Sequence, residues 1–150
     1  MTWTVRPALV TDVDQWGELY RGYREFYRLA PSDEIVARVW SWIHDPARQT
    51  NALVAVDGDG TLGGLAHVRR FERPSAGATG LYLDDLFTRP GLRGAGIGRL
   101  LIEAASEMAT AEGHSVLRWI TAEDNATARR LYDSVAVATP WVTYDLAIDG

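Results

Sequence analysis

Arg89-Pro90-Gly91-Leu92-Arg93-Gly94-Ala95-Gly96-Ile97-Gly98-Arg99-Leu100-Leu101 is the stretch whose reading decides the fold. Leu81–Thr88 before it has strand character, and Pro90-Gly91 stops that strand. A helix begins near Gly94–Gly98 and runs to Ala111, with Ile97, Leu101, Ala104, Ala105 and Met108 on one face and Gly113 just past its end. Ser115–Thr121 reads as a further strand, so the segment is a β-α-β unit with a right-handed parallel crossover. Glycines in alternation let the backbone turn tightly and approach a ligand without Cβ interference. The unpaired N–H groups of the helix start then point at an anion. Arg89, Arg93 and Arg99 gather positive charge there, in a chain whose net charge is −5. A phosphate-bearing ligand fits. GxxxxGK[ST] fails because no lysine follows the glycines, and GxGxxG fails because Gly94, Gly96 and Gly98 are spaced GxGxG.

Outward from this unit, the N-terminal side reads as a strand over Thr2–Val5 and then two helices. The first is capped at Thr11, with Asp14 three residues on, and carries Val13, Trp16, Leu19, Tyr20, Tyr23, Phe26 and Tyr27 at helical spacing. Ser32 caps the second, whose apolar set is Ile35, Val36, Val39, Trp40 and Ile43, and Asp45-Pro46 ends it. Ala52–Val56 and Leu62–Phe71 form a hairpin around Asp57-Gly58-Asp59-Gly60. On the C-terminal side come a short helix, Asn125–Ser134, and an alternating strand, Trp141–Ile148. This order calls for an α/β (α+β) fold with one mixed, mostly antiparallel sheet and helices on both faces.

The 150 residues suit a single domain spanning 1–150, long enough to bury a core without staples. Apolar residues at 47% and charged residues at 23% are an ordinary globular balance. With no cysteine, disulfide scaffolds, thiolate zinc sites and cysteine nucleophiles are excluded. His44, His67 and His114 lie far apart, without metal-ligand spacing, so no metal is expected, and they read as surface or satisfied structural residues. The acidic balance speaks against a nucleic-acid or membrane partner. No apolar run has the length of a membrane span or the pattern of a signal peptide, and the expectation is a cytoplasmic protein.

Asp84-Asp85-Leu86-Phe87-Thr88-Arg89-Pro90 followed by Arg93-Gly94-Ala95-Gly96-Ile97-Gly98 resembles the acetyl-CoA motif of the GCN5-related N-acetyltransferase (GNAT) superfamily. Arg93, Gly96 and Gly98 fill its Q/R-x-x-G-x-G/A pattern. A second family segment is similar to Asn125, Ala128, Leu131 and Tyr132. The family's Gly-Phe after this helix is replaced by Ser134-Val135-Ala136. Trp16, Tyr20, Tyr23, Phe26, Tyr27 and Trp40 look like the branch containing small-amine, D-amino-acid and histone-tail acetyltransferases. Tyr82-Leu83-Asp84-Asp85 is similar to the Leu-Glu-Asp of polyamine and thialysine acetyltransferases.

The resemblance implies acetyl-CoA as co-substrate, its pyrophosphate held by Arg93, Gly94, Ala95, Gly96, Ile97, Gly98 and Arg99. It implies a strand bulge near Leu86, Phe87 and Thr88 whose freed backbone groups bind the pantetheine arm and polarise the thioester carbonyl. Asn125 is a pantetheine contact or a helix cap. Tyr132 is the candidate general acid, because a phenol with a pKa of about 10 is protonated at neutral pH and can serve the departing thiolate. Asp84 is the preferred base for an ammonium acceptor, with Asp85 second. In this fold the first two helices border the acceptor cleft, so Tyr23 and Tyr27 are candidates to line it. The implied activity is direct transfer from acetyl-CoA to the primary amine of a small molecule in a ternary complex. A protein or peptide N-acetyltransferase and a non-catalytic CoA-binding module are the alternatives. The acceptor's identity and the oligomeric state, a homodimer among the options, are left open.

Overall fold

The computed structural model describes residues 2–149 and divides into two compact units, one reaching to Ile120 and one beginning at Thr121. The larger unit is built on a five-stranded sheet: β1 (Thr4–Pro7), β2 (Asn51–Val56), β3 (Leu62–Arg73), β4 (Ala78–Thr88) and β5 (Leu117–Arg118) lie side by side in that order. Neighbours are antiparallel except β4 and β5, which run parallel across α3 (Ile97–Ala111). The first strand is therefore shifted from the expected Thr2–Val5 to Thr4–Pro7, where pairing with Val56–Leu53 carries it.

Helices α1 (Val13–Phe26) and α2 (Asp33–Ile43) form where the apolar spacing put them. Ser32 caps α2 as expected, its hydroxyl oxygen accepting from the Ile35 N–H at 3.1 Å. Thr11 does not cap α1. It lies inside a short 3₁₀ turn, Val10–Asp12, and the carboxylate that organises this entry is Asp12. Buried Asp12 accepts from the Leu9 N–H at 2.7 Å and takes both guanidinium nitrogens of Arg6, at 2.6 and 3.1 Å. The Arg6 hydrogen bond is the main reason its carboxyl sits below the usual aspartate range.

Successive strand residues face opposite sides of a sheet, and β3 uses this alternation to hold helices on both. Leu65 points into a core with Trp16, Leu19 and Tyr20 of α1, Val36 and Val39 of α2, and Val54, Leu62 and Phe87. Gly64 points the other way, and a Cβ there would come within 2.8 Å of both Ile97 and the Phe87 carbonyl. Its missing side chain is what lets the start of α3 seat against the sheet. The β2–β3 turn is closed by Asp57, which accepts from the Asp59 and Thr61 N–H groups at 2.9 Å each.

Two strands differ from expectation. β5 is Leu117–Arg118 rather than Ser115–Thr121, paired to β4 only through Leu81–Leu117 and Tyr82–Arg118. In the second unit, α4 (Ala126–Val135) matches the expected helix, but Trp141–Ile148 is not a strand among the described residues. Val142, Tyr144, Leu146 and Ile148 keep their alternation and are exposed. Alternation makes a strand only where a neighbour supplies the ladder hydrogen bonds.

Candidate active site

The glycine loop reaches α3 through a 3₁₀ turn, Pro90–Leu92. Gly94 and Gly96 have φ of +89° and +80°, a left-handed backbone that side chains with a Cβ rarely adopt. Gly96 is the N-cap of α3, and no side chain caps the helix there. The first intrahelical bond runs from the Leu100 N–H to the Gly96 carbonyl at 3.0 Å. A Cβ built on Gly94 or Gly96 meets nothing within 4 Å, so the backbone around the helix start borders open space. Helix-start N–H groups beside such space suit a diphosphate.

The arginines of the loop divide in role. Arg89 is structural rather than anion-binding: its guanidinium donates to the Leu62 carbonyl at 2.8 and 3.1 Å and to Glu18 at 2.7 Å, pinning the loop to β3 and α1. Arg93 lies over the Phe26 ring, 4.9 Å from its centroid, which keeps its in-plane donors at the loop's edge.

The strand bulge exists, but one turn of the ladder earlier than Leu86–Thr88. His67 pairs with Asp85 and Val68 pairs with Leu83, so Asp84 is the extra residue of β4. Leu86, Phe87 and Thr88 pair regularly with Ala66, Leu65 and Gly64. The Phe87 side chain is core, its ring meeting Tyr23 edge-on. A bulge bends and twists its strand, and this one falls two residues past the last β4–β5 pair. Beyond Tyr82, β4 is laddered to β3 alone.

The bulge also changes what the two carboxylates can do. In a regular strand Asp84 and Asp85 would face opposite sides, yet both reach groups on the α1 face. Asp85 takes the Nδ1–H of His67 at 2.8 Å and the Tyr20 hydroxyl at 3.3 Å, and the Tyr23 hydroxyl is near enough to favour its charged form. Trp16 donates its ring N–H to Nε2 of His67 at 3.1 Å. Because an indole N–H only donates, Nε2 must accept and the proton stands on Nδ1, directed at Asp85. His67 and Trp16 are fully buried, and the Asp85 side chain keeps 18% exposure. Burial pushes the Asp85 carboxyl up, but the interaction with His67, aided by the Tyr23 and Tyr20 hydroxyls, outweighs it and holds the group below the usual range.

Asp84 is shifted the other way. Burial pushes its carboxyl up, and the bond from Arg69 Nε at 2.9 Å only partly opposes this. Tyr20 and Tyr23 are held neutral far above the usual phenol range, chiefly by burial and then by the charge of Asp85. Tyr27 is raised for the same reasons, and its ring packs on Tyr23 with centroids 4.8 Å apart.

In the second unit Asn125 is a helix cap: its side-chain oxygen accepts from the Ala128 N–H at 3.4 Å. Tyr132 lies in α4 with a half-buried side chain. The structure thus joins Asp84 and Asp85 to Tyr23 and Tyr27 in the first unit and adds Trp16, Tyr20, His67 and Arg69, which the sequence had not assigned to the site. The hairpin register was the one available signal, since it sets His67 opposite Asp85.

Known proteins with this architecture include a ribosomal-protein-alanine N-acetyltransferase from Brucella melitensis biovar Abortus 2308, which superposes with a TM-score of 0.83 at 22% identity, over 98% of this chain and all of that one. An aminoglycoside acetyltransferase from an uncultured soil metagenomic sample gives 0.76 at 20% identity, over 99% of this chain and all of that one. These likenesses establish the acetyltransferase fold. In sequence, the chain is 28% identical over 134 residues to D-amino-acid N-acetyltransferase HPA3 of Saccharomyces cerevisiae, covering 89% of this chain and 83% of the yeast protein. Residues 15–136 match the Acetyltransferase (GNAT) family, and the protein belongs to it. It is an acetyl-CoA-dependent N-acetyltransferase. Among the described residues, no helix is long and apolar enough to cross a membrane.

Proposed function

We propose that the acceptor is the primary amine of a small molecule and that the acetyl group passes to it directly, in a ternary complex. The observation that carries this reading is the bulge at Asp84, which brings two carboxylates with opposite shifts to one face of the sheet. Asp85, tied down by hydrogen bonds from His67 and Tyr20, is a standing negative charge that favours an ammonium nearby. Asp84, with its raised carboxyl, is the stronger base of the two and takes the amine proton, directly or through water. The amine nitrogen then bonds to the thioester carbonyl carbon, the C–S bond breaks, and the thiolate of CoA leaves. Tyr132 protonates it, a role supported by its match to the family segment. The backbone from Arg93 to Arg99 holds the diphosphate. The yeast relative's amino-acid acceptors are small primary amines, which supports the same class. We read the chain as one N-acetyltransferase domain, since the family match runs from residue 15 to 136.

Thiol release from acetyl-CoA, measured with a panel of amines across pH, tests the reading. Turnover is expected to rise above neutral pH as free amine becomes available. Tyr132→Phe keeps the ring, so it should lower turnover by roughly 10²–10⁴ while the acetyl-CoA dissociation constant stays put. Asp84→Asn should lower turnover more than it weakens acetyl-CoA binding. Acetyl-CoA binding without thiol release for any amine would leave a binding module, and release with peptides alone would move the acceptor to proteins.

A further inference from the structure

His67 stands opposite Asp85 in the β3–β4 ladder, and both nitrogens of its ring are engaged. Trp16 donates to Nε2 at 3.1 Å, and Nδ1 donates to Oδ2 of Asp85 at 2.8 Å. The Tyr20 hydroxyl reaches the same Oδ2 from α1 at 3.3 Å, and its ring meets the His67 ring edge-on, centroids 4.9 Å apart. Trp16 in turn packs on Trp40 of α2, centroids 4.8 Å apart. The imidazole therefore has neither room to turn nor a choice of tautomer.

Stability alone does not call for this construction. Leu65, the neighbour of His67 on this face of β3, is apolar and fully buried. Replacing a buried polar pair by apolar side chains of similar volume is often neutral or stabilising. His67 is instead spent on a carboxylate that keeps 18% exposure. The last torsion of an aspartate is broad, so its carboxylate turns easily unless partners hold it. Here one donor from the sheet and one from a helix stop that rotation. Of the roughly four lone-pair sites of a carboxylate, these two bonds take two, both on Oδ2. That leaves Oδ1 as the oxygen through which Asp85 can meet an ammonium.

We infer that His67 is a positioning residue for the acceptor: with its tautomer set by Trp16, it holds Asp85 so that Oδ1 is presented to the ammonium. This rests on the amine-acceptor reading above, in which Asp85 is the standing charge. His67 acts through Asp85 and does not itself touch the substrate, because its ring is fully buried. Its effect therefore belongs to the KM of the amine. The KM of acetyl-CoA, whose diphosphate is assigned to the start of α3, should not respond.

His67→Leu and His67→Asn provide the test. The two side chains share one branched shape, and both leave the Trp16 N–H without its acceptor. Only asparagine carries an N–H at the position of Nδ1. Both variants are expected to lose stability, so thermal melting serves to confirm that each is folded at the assay temperature. In thiol-release assays with a primary alkylamine that the wild type accepts, His67→Leu should raise the amine KM at least about tenfold, with the acetyl-CoA KM unchanged. His67→Asn should restore the amine KM to within about threefold of the wild type. An equal rise in both variants, or an unchanged amine KM in His67→Leu, overturns the positioning role, while wild-type turnover keeps the amine reading. If His67→Leu does not fold, the nitrogen NMR spectrum of the wild-type imidazole decides. With CoA in place of acetyl-CoA, the proton of His67 should sit on Nδ1, and its resonance should shift when the alkylamine is added. A proton on Nε2, or a resonance unmoved at saturating alkylamine, overturns the inference. A wild type that binds acetyl-CoA and acetylates no primary amine overturns the amine reading, and this inference with it.

Discussion

The start of α3 and the interior beneath α1 are both rich in hydrogen-bonding groups, arranged to opposite ends. At Gly96 no side chain caps the helix and a Cβ would meet nothing within 4 Å. Beneath α1, Trp16 bonds His67, His67 bonds Asp85, and Tyr20 closes on the same carboxylate. The first region has no side-chain cap and borders open space. The second satisfies its groups internally, because an unpaired polar atom buried there costs about 1–3 kcal/mol. Variants at the first region are expected to change cofactor binding, and variants of the buried network to change stability first, so the two should separate.

The largest effect is expected from Gly96→Val. A β-branched residue at φ +80° is strained by about 1–3 kcal/mol, and its side chain enters the space beside the helix start. Wild type at acetyl-CoA a hundredfold above its dissociation constant gains about 2.7 kcal/mol, a melting shift of several degrees. The variant should fold and show no shift. A normal shift in Gly96→Val would break the contrast by making the open region something other than the diphosphate site.

Asp85→Asn comes next and should act through stability. Losing the acceptor charge for His67, Tyr20 and Tyr23 is expected to cost about 1–3 kcal/mol in urea unfolding at pH 7. The folded carboxyl lies below its unfolded value of 3.8, so its contribution is complete above that pH and is lost as pH falls through the folded value. The gap between wild type and variant should then narrow by pH 3. A gap of the same size at both pH values would mean that packing, not charge, makes the difference.

Tyr20→Phe should have the smallest effect, about 0.5–1.5 kcal/mol. It removes one hydroxyl, bonded at 3.3 Å, and keeps a buried ring. Its stability loss should be clearly below that of Asp85→Asn, with acetyl-CoA affinity unchanged. A loss as large as that of Asp85→Asn would show that Tyr20, rather than His67, carries the network.

Much of the fold was legible because it is written in local patterns. Helical spacing placed α1, α2 and α3, and Ser32 marked its cap before any contact was known. The glycine loop was legible for the same reason, since alternating glycines between a strand and a helix restrict what the backbone there can be. Thr11 misled because a 3₁₀ turn and the Arg6–Asp12 pair took over the entry to α1. Arg89 misled because charge in sequence does not say whether a nearby carbonyl will claim it. The bulge was placed too late because a bulge belongs to a pairing of two strands.

By itself, the sequence determined the element order as far as α4, the glycine turn into α3 and the family, all of which follow from residue types at short spacing. The tertiary structure decided which face each carboxylate reaches and what it meets there. Asp84 and Asp85 are neighbours in sequence, yet one extra residue in the β3–β4 register puts both on one side. His67 is 18 residues from Asp85 and Trp16 is 51 residues from His67. Side-chain roles at such distances arise from strand register and helix packing, because hydrogen bonds act over about 3 Å of space whatever the separation along the chain.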